Sequence, residues 1–135
     1  MDKKIEEEII KTYVKKNKQE RILWELSNPK KRKSVIWKFH SPDIFIEKYL
    51  YPAKYMDAQS MKNYLFDLSG TLKVYYIGTN YIGFCSLEKA VEWAAEEGVY
   101  IIYCGNGIGY YQGEQEYGAP PRFILLAQKT VNKLT

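Results

Sequence analysis

Apolar positions along the chain recur with two different periods, and the period changes mark its elements. Ile5, Ile9, Ile10, Tyr13 and Val14 repeat at helical spacing among lysines and glutamates, which predicts an amphipathic helix over residues 2–16. Its apolar stripe is narrow, so it could cover its own sheet or a second subunit. Ile22, Leu23, Trp24 and Leu26 predict a second short helix or a continuation, stopped at Asn28-Pro29 because proline disfavours helix at the residue before it. Lys30-Lys31-Arg32-Lys33 then reads as an exposed basic turn. Ser34–His40 is β-branched and aromatic, with Val35, Trp37 and Phe39 in period-two alternation, and predicts the first strand. Ser41-Pro42-Asp43 carries a capping side chain, a proline suited to the first helical turn and an acid favoured at the positive helix end. A helix is expected there, ending before Pro52.

In the second half the pattern is sharper. Met61, Tyr64, Leu65 and Leu68 share one helical face, and Gly70 is placed to close that helix in the left-handed conformation. Leu72–Ile77 reads as a strand, Gly78-Thr79-Asn80 as a turn and Tyr81–Phe84 as a short return strand. Ser86 can cap a helix with Leu87, Ala90, Val91, Ala94 and Ala95 inward, Glu88, Glu92, Glu96 and Glu97 outward, and Gly98 as its stop. The segment from Leu72 to Cys104 therefore reads as a βαβ crossover or, through the return strand, as an antiparallel arrangement. Val99–Cys104 is apolar throughout, as a central strand covered on both faces requires. Asn106-Gly107 is a type I′ hairpin signal, since both residue types tolerate positive φ, so Ile108–Gln112 should run back beside it. A loop over 113–121 and a last strand over Phe123–Ala127 complete an α+β fold, a single domain over 1–135. Its mixed or mainly antiparallel sheet of about four to six strands is packed by the N-terminal and central helices. Residues 1–33 form a basic helical segment and 34–135 the sheet-containing core.

Composition changes this picture in two places. Thirteen tyrosines and three tryptophans exceed what a core of this size asks for, so some rings should be presented at the surface. The net charge of +4 hides an asymmetry: residues 1–40 carry 12 Lys+Arg against 6 Asp+Glu, and residues 41–135 carry 8 against 10. The N-terminal Met-Asp-Lys-Lys-Ile-Glu-Glu-Glu lacks the apolar run of a secretory signal and no stretch is long enough to cross a bilayer, so a cytoplasmic location without membrane partners is expected. Cys85 and Cys104 lie in apolar segments without metal or redox spacing and read as buried free thiols.

No nucleotide, metalloprotease or calcium-loop motif is present, and a single histidine, His40, cannot build a multi-histidine metal site. Gly105-Asn106-Gly107-Ile108-Gly109 has the glycines of a phosphate loop, but no helix pattern follows to offer its amino end. No cofactor or metal is implied, and the balance is against an enzyme. The candidate site is the loop from Tyr110 to Arg122: Tyr110, Tyr111 and Tyr117 as recognition rings, Gln112, Glu114 and Glu116 as polar contacts, and Arg122 as their cationic counterpart. The leading reading is a non-enzymatic protein that docks on another protein, a toxin-neutralising immunity protein of bacteria or phage being one concrete member. On that reading Tyr111→Ala or Tyr117→Ala abolishes capture and leaves melting unchanged, and the fallback surface is the basic N-terminal third. A nucleotide-like ligand on the same loop is the alternative, with stacking by the tyrosines and phosphate binding by Arg122. Nucleic-acid binding through Lys30–Lys33 with Trp24 or Trp37 ranks lower, because the acids of the same segment dilute its charge. Self-association stays open.

Overall fold

A computed structural model describes residues 2–53, 57–96, 98–115 and 118–127. The first helical pattern forms α1 (Lys3–Tyr13), with the Asp2 carboxylate accepting from the Ile5 amide at its start. The chain turns at Val14 and continues as α2 (Lys16–Ser27). Ile9, Ile10, Tyr13, Ile22 and Leu26 of the two helices point inward and share one core cluster with sheet residues such as Tyr75, Ile101 and Tyr111. The basic N-terminal segment and the sheet are therefore parts of one packed unit.

The strand expected over Ser34–His40 is a 3₁₀ helix, Arg32–Phe39. Val35, Ile36 and Phe39 are buried while Trp37 and Lys38 face out, the spacing of a helical turn. A short run of β-branched and aromatic residues fits either period, and tertiary packing decides between them. The basic turn before it also needs correction at Arg32, which points inward onto Glu6. After it, Ser41 does cap a turn, its hydroxyl oxygen accepting from the Asp43 amide at 3.3 Å, but no α-helix propagates. The backbone is drawn instead into a bridge with the α1–α2 connection: Lys15 N donates to Ile44 O at 3.0 Å and Ile46 N to Tyr13 O at 2.8 Å, with Phe45 buried between. The segment breaks into single turns at Pro42–Ile44 and Glu47–Tyr49, then a three-residue strand, β1 (Leu50–Pro52).

The remaining elements follow the sequence reading. α3 (Ala58–Ser69) ends at Gly70 with φ of 69°, the left-handed cap. β2 (Lys73–Ile77) and β3 (Ile82–Ser86) form a hairpin, and α4 (Leu87–Glu96) starts with the Lys89 amide donating to the Ser86 hydroxyl. Ala95, expected inward, is exposed. β4 (Tyr100–Gly105) and β5 (Ile108–Gln112) turn at Asn106-Gly107, with φ of 53° and 80°, and β6 (Arg122–Leu126) pairs with β5. The strands form one six-stranded sheet in the order β1-β6-β5-β4-β2-β3, every neighbouring pair antiparallel. β3 and β4 flank β2 and run parallel to each other, so α4 is a crossover spanning one intervening strand. Between the Leu72 and Val99 strands the antiparallel alternative is thus the one realised, and the crossover joins β3 to β4 instead. α1 and α2 cover one face; α3 and α4 cover the other with Met61, Leu65, Leu87, Ala90 and Ala94. Among the described residues no helix is long and apolar enough to cross a membrane, and both cysteines are free thiols. They are only partly buried; burial pushes the Cys104 thiol up to about 12 and raises that of Cys85.

Candidate functional site

Strand β5 alternates its side chains across the sheet, and this decides where the candidate loop residues go. Tyr110 points towards α3 and α4, fully buried, its ring stacked on Tyr100 at 6.0 Å. Tyr111 points to the opposite face, also fully buried, packed edge-on against Phe45 at 4.6 Å, with its hydroxyl donating to the Phe39 carbonyl. Neither ring is presented at the surface. Burial raises both phenol pKa values above the ordinary 10.0. The expectation that Tyr111→Ala leaves melting unchanged is therefore corrected: that substitution opens a cavity in the core. Surplus tyrosine in this chain is largely core material, because a sheet covered on both faces consumes rings on both.

Gln112 and Arg122 do come together, as register partners at the ends of β5 and β6. The Arg122 Nε donates to Gln112 Oε1 at 2.9 Å, Tyr100 donates to the same oxygen at 3.4 Å, and Gln112 Nε2 donates to the Gly98 carbonyl at 2.9 Å. Buried Gln112 thus ties the starts of β4 and β6 to the end of β5. Among the described residues no carboxylate lies within ion-pair distance of Arg122. Glu114 is exposed, and its amide donates to the His40 carbonyl at 2.8 Å. Glu116 and Tyr117 lie outside the described residues. The arrangement closes a sheet end; the described part has no paired carboxylates for acid–base chemistry.

The exposed rings are elsewhere. Trp24 and Trp37 are 48% and 50% exposed, on α2 and on the 3₁₀ helix that follows it. Trp24 has Arg21 Cζ at 5.1 Å and Lys31 Nζ at 5.8 Å from its ring centre, distances at which cations are held by the ring's electron-rich face. On one flank of α2 a groove of about 430 Å³ is walled by Leu23, Trp24 and Leu26, with Lys3 and Glu7 beside them. On the other flank Lys18, Arg21, Lys38 and His40 line a groove of about 470 Å³.

Two acids of this segment, Glu6 and Glu25, are turned inward. Glu6 is 3% exposed; both its oxygens accept from Arg32, and one also accepts from the Tyr75 hydroxyl. Glu25 is 6% exposed, with Arg21 Nε at 3.2 Å and Lys38 Nζ at 3.5 Å. Within residues 15–38 the only exposed carboxylate is Glu20, against eight exposed lysine and arginine side chains. Dilution of the basic charge, expected from composition, is lifted only at Glu6 and Glu25: Glu7 and Asp43 line the two grooves, and Glu8 and Glu20 are exposed. This face was half legible: Trp24, Trp37 and the lysines were visible as residue types, whereas the inward turn of Glu6 needed its contact with Arg32. No protein-family model, curated protein or solved structure matches the chain.

Proposed function

We propose that the chain is a non-enzymatic binding protein that docks on another protein through the α2 face, the partner offering an acidic surface around an apolar projection. One observation carries the reading: Trp24 stands half-exposed over a groove with leucine walls, with Arg21 and Lys31 against its ring. Tryptophan and arginine dominate binding energy when a partner seals them from water, and surrounding charges steer the approach. A toxin-neutralising protein is a concrete member of this class, since neutralisation requires tight docking and no chemistry. Affinity capture with the full chain should lose its partner on Trp24→Ala and weaken on Lys31→Glu, while each variant keeps its melting transition within about 0.5 kcal/mol of the parent, as surface changes do. Undiminished capture by both variants overturns the reading.

Nucleic acid is the second reading, favoured by the inward turn of Glu6 and Glu25, which removes two acids from among the lysines of this face. Saturable binding of mixed oligonucleotides, weakening steeply with salt and lost with Trp24→Ala, would transfer the face to that class. The nucleotide-like reading of the Tyr110–Arg122 loop requires open rings at Tyr110 and Tyr111, and both rings are in the core.

A further inference from the structure

At the β3 edge of the sheet, the β2–β3 turn meets the last turns of α4. Tyr76 from β2, Tyr81 from the turn, and Trp93 and Glu96 from α4 line a cavity of about 310 Å³ with Asn80. Trp93 is the hinge of the set: its ring lies 5.5 Å from that of Tyr76 at 69° and 5.0 Å from that of Tyr81 at 54°. Tyr76 is fully buried, stacked on Tyr100 at 6.2 Å, and forms the floor, so the faces open to a ligand are those of Tyr81 and Trp93. Spacing along α4 puts Glu96 one turn from Trp93 on the same side, and its exposed carboxylate has no ion-pair partner among the described residues.

The backbone has made room for these rings. A β-carbon at Gly78 would come within 2.5 Å of the Tyr76 ring, and one at Gly83 within 2.9 Å of the Tyr81 hydroxyl oxygen. Gly83 is also the register partner of Tyr76, so the ring stands beside a position without a side chain. Tyr81 is held by its hydroxyl, which donates to the Phe84 carbonyl at 2.7 Å. Rings fixed in this way keep their faces aimed without further ordering on binding.

We propose that Tyr81 and Trp93, over the buried Tyr76 and with Glu96 at the rim, form a site for a quaternary or methylated ammonium group. Aromatic faces attract a cation through their quadrupole, and a methylated ammonium suits them because it is weakly hydrated and apolar in outline. The carboxylate supplies the opposing charge, and the volume is at the small end of the range for ligand sites. The same chemistry is carried by free choline-like cations and by trimethyllysine in a peptide. The site is independent of the α2 face.

The test uses the full chain carrying Trp24→Phe and Trp37→Phe, which leaves Trp93 as the sole tryptophan. Choline, a trimethyllysine peptide and 3,3-dimethylbutanol, the neutral isostere of choline, are titrated against Trp93 emission. Saturation by either cation, at least about ten-fold tighter than any response to the neutral alcohol, supports the site. Which cation binds tells a free ligand from a modified side chain. Glu96→Gln should weaken that binding several-fold and Tyr81→Ala by about ten-fold or more, with unchanged melting, both being surface-accessible positions. The proposal is overturned if the alcohol binds as tightly as the cations, if both variants bind like the parent, or if neither cation saturates by about 50 mM in a folded sample.

Discussion

The two faces of the sheet are built on different principles. The face under α1 and α2 answers its carboxylates with directional partners: the buried Glu6 with Arg32 and Tyr75, and the exposed Glu8 with the Tyr103 hydroxyl. The face under α3 and α4 is filled by Leu65, Leu87, Ala90, Ala94 and stacked tyrosines; its one fully buried polar side chain among the described residues, Gln112, sits at the sheet end. A two-toothed guanidinium–carboxylate contact admits one docking geometry, whereas apolar packing tolerates small slides. The helix pair that carries the exposed Trp24 is thus the more exactingly positioned of the two layers.

Alkali should break both faces together. Burial, first among the causes, raises the phenols of Tyr13, Tyr75, Tyr103 and Tyr111 on one face and of Tyr100 and Tyr110 on the other above the ordinary 10.0. The folded chain therefore holds protons that the unfolded chain releases, so stability is whole below pH 10 and falls as pH rises beyond it. Cooperative unfolding within about two units above pH 10 is expected in melting curves. The same titration distinguishes the faces: Glu8→Gln should move one phenol back towards 10, because the hydrogen-bonded carboxylate is a second cause of the Tyr103 shift.

Arg32→Ala should cost about 4 kcal/mol, since it strands the buried Glu6 carboxylate. The double change Glu6→Leu with Arg32→Met should recover most of that loss in denaturant titrations, and a double variant as unstable as the single one would show that packing, not charge, is at stake. On the opposite face Leu65→Ala should cost about 3 kcal/mol through the cavity it leaves, with no salt dependence. The smallest effect, about 1 kcal/mol, belongs to Ser86→Ala, which removes the hydroxyl that caps α4.

Most of the fold was legible wherever local signals agreed. α3 with its Gly70 cap, α4 behind Ser86 and the Asn106-Gly107 hairpin each carry a start or stop residue along with the right period. Between residues 32 and 52 the reading failed because the deciding contacts are distant in sequence: Glu6 recruits Arg32, and the α1–α2 connection recruits Phe45. The candidate loop was legible only in part. Gln112 and Arg122 do meet, but nothing in the run Tyr110-Tyr111 distinguishes a strand buried on both faces from a displayed pair of rings. That distinction depends on α1 and α2 covering one side while α3 and α4 cover the other.

The narrow strand β1 sets the order in which the molecule can be finished. The β2–β3 and β4–β5 hairpins close over a few residues, whereas Leu50 finds its register partner only at Leu125. Loop closure of that span must precede any gain from the pairing, so the sheet edge should be among the last parts to assemble. During synthesis β1 has to wait for β6 to emerge. A chain cut short of β6 would leave β5 with an unsatisfied edge, a template for pairing with other chains. Pro52 and the brevity of β1 then serve a second purpose: once docked, they end the sheet with an edge that is hard to extend.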